Sequence, residues 1–73
     1  MEHITFYIGI LPKDRVEFFE LFKSFNTNNQ MDILDEFDSP YDYYTFTIHG
    51  TWEDYKKFLN GPSIIKSVEH FEE

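Results

Sequence analysis

From His3 to Ile10 apolar and polar residues alternate, with Ile4, Phe6, Ile8 and Ile10 on one side and Thr5, Tyr7 and Gly9 on the other. A period of two predicts a strand with one buried face. Leu11-Pro12-Lys13-Asp14 follows as a turn, and Pro12 suits the first turn of a helix. Val16, Phe19, Phe22 and Phe25 then recur at helical spacing, and Phe18 and Leu21 widen the stripe. Lys13, Glu17, Glu20 and Ser24 fall on the opposite, solvated side. The polar run Asn26–Gln30 ends this helix.

Met31–Phe37 reads as a second strand in which Met31, Ile33 and Phe37 share a face that Asp35 interrupts. Asp38-Ser39-Pro40 supplies a turn. Tyr41–Ile48 alternates again, with Tyr44, Phe46 and Ile48 on one side and Tyr43, Thr45 and Thr47 on the other. Thr51, with Asp54 three residues on, has the spacing of a capping box for a second helix. Its apolar stripe is Trp52, Tyr55, Phe58 and Leu59, and Lys56 and Lys57 lie toward the end that the helix dipole favours. Gly61 is placed to close the helix in a left-handed conformation, and Pro62 prevents its continuation. A last strand is expected over Ile65–Phe71, with its register open because Val68 and Phe71 fall on opposite faces.

The order β-α-β-β-α-β, with right-handed crossovers, predicts an α+β fold. The expected form is a ferredoxin-like βαββαβ two-layer sandwich, a four-stranded antiparallel sheet with two helices on one face, spanning 1–73 as a single domain. Phe6, Ile8, Phe19, Phe22, Phe46, Trp52 and Phe58 are the expected core. The uncovered sheet face would carry Thr5, Tyr7, Tyr43, Thr45 and Thr47, with Glu69 or His70 according to register.

The second half, "DYYTFTIHGTWEDYKKFLNGPSIIKSVEHF", resembles in rhythm the small regulatory domains of the ACT type and the ligand-sensing domains of Lrp-type regulators. The likeness is one of element pattern over the whole chain. It implies a homodimer that senses a small molecule between subunits. The chain departs from the ACT pattern after the first strand, where Pro12-Lys13-Asp14 replaces a glycine-bearing turn.

Composition narrows the function classes. With 73 residues, the chain is expected to bury only about 60% of its unfolded surface. It has no cysteine, so disulfides and thiolate metal sites are excluded. Nine Phe, five Tyr and one Trp supply the core instead, at roughly 150–250 Å² for each buried ring. No apolar run approaches the roughly 20 residues that cross a bilayer, and Met1-Glu2-His3 lacks the basic region of a signal peptide. A cytoplasmic protein without membrane contact is expected. Fourteen acids against six basic residues give a net charge of −8, which repels phosphate and excludes direct nucleic-acid binding as an expectation. The same charge favours a basic partner.

Acids concentrate at Asp32, Asp35, Glu36, Asp38 and Asp42. A calcium loop counted from Asp32 would need Gly at its sixth position and Glu at its twelfth, where Phe37 and Tyr43 stand. A solvated edge and turn is the simpler reading, and edge-strand aspartates also discourage edge-to-edge aggregation. With strands one and four as antiparallel neighbours, His3 and His70 could approach each other at one end, near Glu72, where two imidazoles and a carboxylate would suit zinc or nickel. No HxH or HxxxH spacing accompanies them, and neither a resident metal nor a cofactor is expected. His49 reads as an ordinary strand-end residue. The chain has no GxSxG, P-loop or GxGxxG motif and is not expected to be an enzyme.

The expected function is that of a small acidic interaction module, a regulator or inhibitor that binds a basic protein surface, in its sharpest form as a nucleic-acid mimic. Asp32, Asp35, Glu36, Asp38 and Asp42 would steer the partner, and Tyr7, Tyr43 and Thr45 would supply contact area or a homodimer interface. The alternative is an ACT-like sensor acting as a homodimer.

Overall fold

The computed structural model describes residues 3–39 and 43–70. The elements are β1 (His3–Ile10), α1 (Arg15–Phe25), β2 (Asp32–Phe37), β3 (Tyr44–Thr51), α2 (Trp52–Leu59) and β4 (Ile65–His70). The strands form one sheet in the order β2-β3-β1-β4. Every neighbouring pair is antiparallel. The fold is therefore α+β, with β1 and β3 at the centre of a four-stranded antiparallel sheet and two helices. Tyr41, Asp42, Phe71 and Glu72 lie outside the described residues, so β3 is described from Tyr44 and β4 as far as His70.

Alternation places Phe6, Ile8 and Ile10 of β1 and Phe46 and Ile48 of β3 on one side of the sheet, all fully buried. Phe18 of α1 and Phe58 of α2 close over them. Phe18 stacks on Phe46 at 4.1 Å between centroids with 15° between planes. Phe58 meets Phe18 and Phe6, each at 5.9 Å, and Phe25 at 5.1 Å. Each buried Phe contributes about 1.5–3 kcal/mol through area removed from water. The rings tie both helices to the same sheet face.

Helix α1 turns Phe18, Phe19, Leu21, Phe22 and Phe25 toward the core, as the stripe suggests, and leaves out only its first member, Val16. Val16 is 70% exposed and Phe18 is the fully buried residue. An α-helix turns about 100° per residue, so Val16 and Phe25 stand about 180° apart while Phe18 and Phe25 nearly coincide. After α1, the Asn26 side chain clasps the next segment. Its Nδ2 donates to the Met31 carbonyl at 3.1 Å, and Met31 N–H donates to its Oδ1 at 3.0 Å. Asn29 takes the left-handed conformation (φ 52°) that asparagine tolerates.

The capping box forms as the spacing predicts. Asp54 N–H donates to Thr51 Oγ1 at 3.2 Å, and Thr51 N–H and Oγ1–H donate to Asp54 Oδ2 at 3.0 and 2.9 Å. Gly50 permits this approach, because a Cβ there would stand 3.0 Å from Met31 Cγ and 3.1 Å from Asp54 Oδ2. Gly61, by contrast, is not left-handed, since no described glycine has positive φ. Its N–H bonds the Phe58 carbonyl at 3.0 Å, and that close approach is what the missing Cβ serves. Trp52 sits at the rim rather than in the core, edge-on to Tyr55 and His70.

Both edge strands carry a bulge. On β2, Ile33 pairs with Ile48 and Asp35 with Thr47, so Leu34 is an extra residue. On β4, Ser67 pairs with Gly9 and Ile65 with Ile10, so Lys66 is extra. A bulge shifts the phase of alternation by one. Ile65 and Val68, three residues apart, consequently both pack toward the core. Phe37 is parted from Met31 and Ile33 and turned to the uncovered face, where it is 62% exposed.

Candidate functional site

The sheet face away from the helices is built in three cross-strand rows. The first holds Phe37, Thr45, Gly9 and Ser67; the second Asp35, Thr47, Tyr7 and Glu69; the third Asp32, His49 and Thr5. Glu69 therefore lies on this face, and His70, opposite Phe6, lies on the helix side. The second row has a carboxylate at each edge, with a tyrosine and a threonine between. Phe37 is a large exposed aromatic residue at the β2 side of this face, Tyr43 is exposed beside Gly9, and the bulged Leu34 is exposed at the β2 edge.

Tyr7, Tyr43, Thr45, Ser67 and Glu69 line a groove of about 360 Å³ on this face. Its volume is at the low end of the roughly 300–1,000 Å³ typical of ligand pockets. Gly9 forms part of the floor: a Cβ there would collide with Ser67 Oγ and stand 3.1 Å from Tyr43 Cβ. Thr45 Oγ1 donates to the Tyr43 carbonyl at 3.1 Å and holds the groove's entry strand. The groove thus joins two phenol rings, two aliphatic hydroxyls and one carboxylate.

The structure brings Tyr7, Tyr43 and Thr45 together at the groove, as the alternation of β1 and β3 implies. It divides the acids. Asp32 and Asp35 occupy the uncovered face, and Asp38 is exposed just beyond β2. Asp42 lies outside the described residues. Glu36 is turned to the helix side, opposite Phe46, and is bound rather than merely solvated. Arg15, the chain's single arginine, donates to Glu36 Oε1 from Nη2 at 3.0 Å and from Nε at 3.1 Å. Tyr44 Oη–H donates to the same oxygen at 2.9 Å and accepts from Arg15 Nε at 3.2 Å. These bonds to Tyr44 and Glu36 push the Arg15 pKa upward, and its guanidinium also lies 4.8 Å from the Phe19 ring centroid. Glu36 therefore fastens α1 to the sheet edge and leaves Asp32 and Asp35 of β2, with Asp38 just after it, as the outward-facing charge.

The approach of His3 to His70 that the strand order left open is opposed by register, since His3 lies on the uncovered face and His70, opposite Phe6, on the helix side. His3 meets His49, with Nδ1 and Nε2 3.2 Å apart, because β1 pairs along its whole length with β3. His70 instead meets Trp52 and Tyr55 edge-on, at 5.1 and 5.4 Å. Periodicity missed three features: the histidine pair, the exposed bulge residue Leu34 and the exposure of Phe37. The pair was readable only from register, and the other two depend on the bulge.

No helix among the described residues is long and apolar enough to cross a membrane. Comparison with known protein families, curated proteins and solved structures finds no match to this chain.

Proposed function

We propose that this protein is a non-catalytic interaction module whose uncovered sheet face receives a basic segment of another protein. The groove carries the reading: Tyr7 and Tyr43 offer ring faces and Glu69 a carboxylate, the combination that holds a guanidinium or ammonium. Asp35 at the far end of the same row, with Asp32 beside it, extends the negative border. Aromatic contact area inside a charged rim is the general form of a transient interface. A second copy fits less well than a basic partner, because each chain carries −8 and face-to-face pairing would oppose like charges. The strand order, with both helices over one face, supports a ferredoxin-like sandwich as the scaffold.

The test is a titration of isotope-labelled protein with an arginine-rich peptide, followed by amide NMR shifts, with a neutral peptide as control. Shifts should concentrate at Tyr7, Gly9, Thr45, Ser67 and Glu69, and Glu69→Gln should weaken them severalfold. Gly9→Ala should do the same by filling the floor. Shifts spread evenly over Glu17, Glu20 and Glu53 on the helices would reduce the effect to bulk charge and overturn the proposal. Sedimentation at high concentration supplies the second arm: dimerisation through this face, abolished by Tyr43→Glu, would replace the basic partner with a second copy.

A further inference from the structure

We propose that His3 and His49 form a two-histidine chelate for a divalent transition-metal ion of the zinc and cobalt class, at the end of the uncovered face remote from the groove. His3 Nδ1 and His49 Nε2 stand 3.2 Å apart. Two nitrogens each about 2.0–2.1 Å from a tetrahedral ion are about 3.3–3.4 Å apart, so the pair already has close to the bite such an ion requires. The rings are 5.0 Å apart and inclined at 51°, and a modest rotation of each about its terminal torsion aims both lone pairs at one point.

Their positions are set by the pairing of the two central strands. His49 pairs with Thr5 and His3 with Thr51 on the two central strands, so the spacing is set by backbone register rather than by a loop. Without metal, one imidazole must donate the shared proton and the other accept it. A bound ion takes the place of that hydrogen bond: the donor ring shifts its proton to its other nitrogen, and both facing nitrogens present lone pairs to the ion. Imidazole is a borderline ligand, which favours zinc, cobalt, nickel and copper over magnesium and calcium.

Asp32 sits opposite His49 on β2 and faces the same side, so its carboxylate offsets the ion's charge. Among the described residues no three His, Cys, Asp or Glu side chains converge on one point, which makes this a two-ligand site completed by water. Micromolar rather than nanomolar affinity follows. His3 is exposed and His49 half-buried, so the ion has a direct path from solvent.

The experiment is calorimetric titration of the intact chain with zinc chloride at neutral pH, with imidazole NMR signals followed in parallel. One equivalent should bind, and the His3 and His49 ring signals should shift while those of His70 stay in place. His49→Gln should weaken binding at least tenfold, His70→Gln should leave it at the wild-type value, and calcium should produce no response. His3→Gln, at an exposed strand end, repeats the test should His49→Gln fold poorly. Unchanged zinc affinity in both His3→Gln and His49→Gln, or no saturable binding below millimolar zinc, would overturn the proposal.

Discussion

Two phenylalanines on neighbouring strands should respond in opposite ways to the same truncation. Phe46 is fully buried, stacks on Phe18 at 4.1 Å and lies 5.4 Å from Phe19 and 5.2 Å from Tyr44. Removing its ring loses transfer free energy and opens a cavity between the sheet and α1, at about 3–5 kcal/mol. A 73-residue chain at the usual stability per residue holds about 4–11 kcal/mol in total. Phe46→Ala should therefore lower the melting temperature by about 12–40 °C, at about 4–8 °C per kcal/mol for domains of this size. Phe46→Leu, which keeps most of the volume and loses the stack, should cost about 1–2 kcal/mol and remain folded. Phe37, turned outward by the β2 bulge, should tolerate Phe37→Ala within about 0.5 kcal/mol. The assay is thermal and urea unfolding of the three variants followed by circular dichroism. Equal destabilisation by Phe37→Ala and Phe46→Ala would refute the bulged register and return Phe37 to the core side.

Asp54→Ala leaves the buried Thr51 N–H and hydroxyl without their acceptor and should destabilise by about 1–3 kcal/mol, read by urea denaturation. In a double-mutant cycle, Arg15→Met and Glu36→Gln should show a small favourable coupling that shrinks as salt rises, because the pair is solvent-facing. Replacing Asp32, Asp35 and Asp38 by Asn should leave the melting temperature nearly unchanged while slowing association with a basic peptide and flattening its salt dependence. Stopped-flow association at two salt concentrations checks this, and unchanged rates would assign those charges to solubility alone.

The central strands were legible because nothing interrupts their alternation. Ile4 to Ile10 and Tyr44 to Ile48 each keep one face apolar, and that pattern already implied the buried set and the aromatic groove residues. The Thr51–Asp54 box was legible because its chemistry is local and spaced by three. The edge strands were not, because a bulge inserts one residue with no mark in composition, so Phe37 counted as inward. Val16 misled for a different reason: a run at every third residue drifts around a helix and mixes two faces. The His3–His49 encounter joins residues 46 positions apart and depends wholly on how β1 and β3 are paired. Glu36 looked like one acid among five until Arg15 and Tyr44 were found around it.

The bulges also set where this chain can change length. Leu34 and Lys66 are each one residue more than the ladder needs, and deleting either leaves every other strand residue on its present face. The same deletion within β1 or β3 would turn half of that strand's inward set outward, since alternation there has no slack. Single-residue insertion and deletion is therefore an evolutionary path open to the edges and closed to the centre. The path has its own brake. A shortened β2 or β4 would become a regular, unkinked edge, and the change that costs least in folding would cost most in unwanted pairing between molecules.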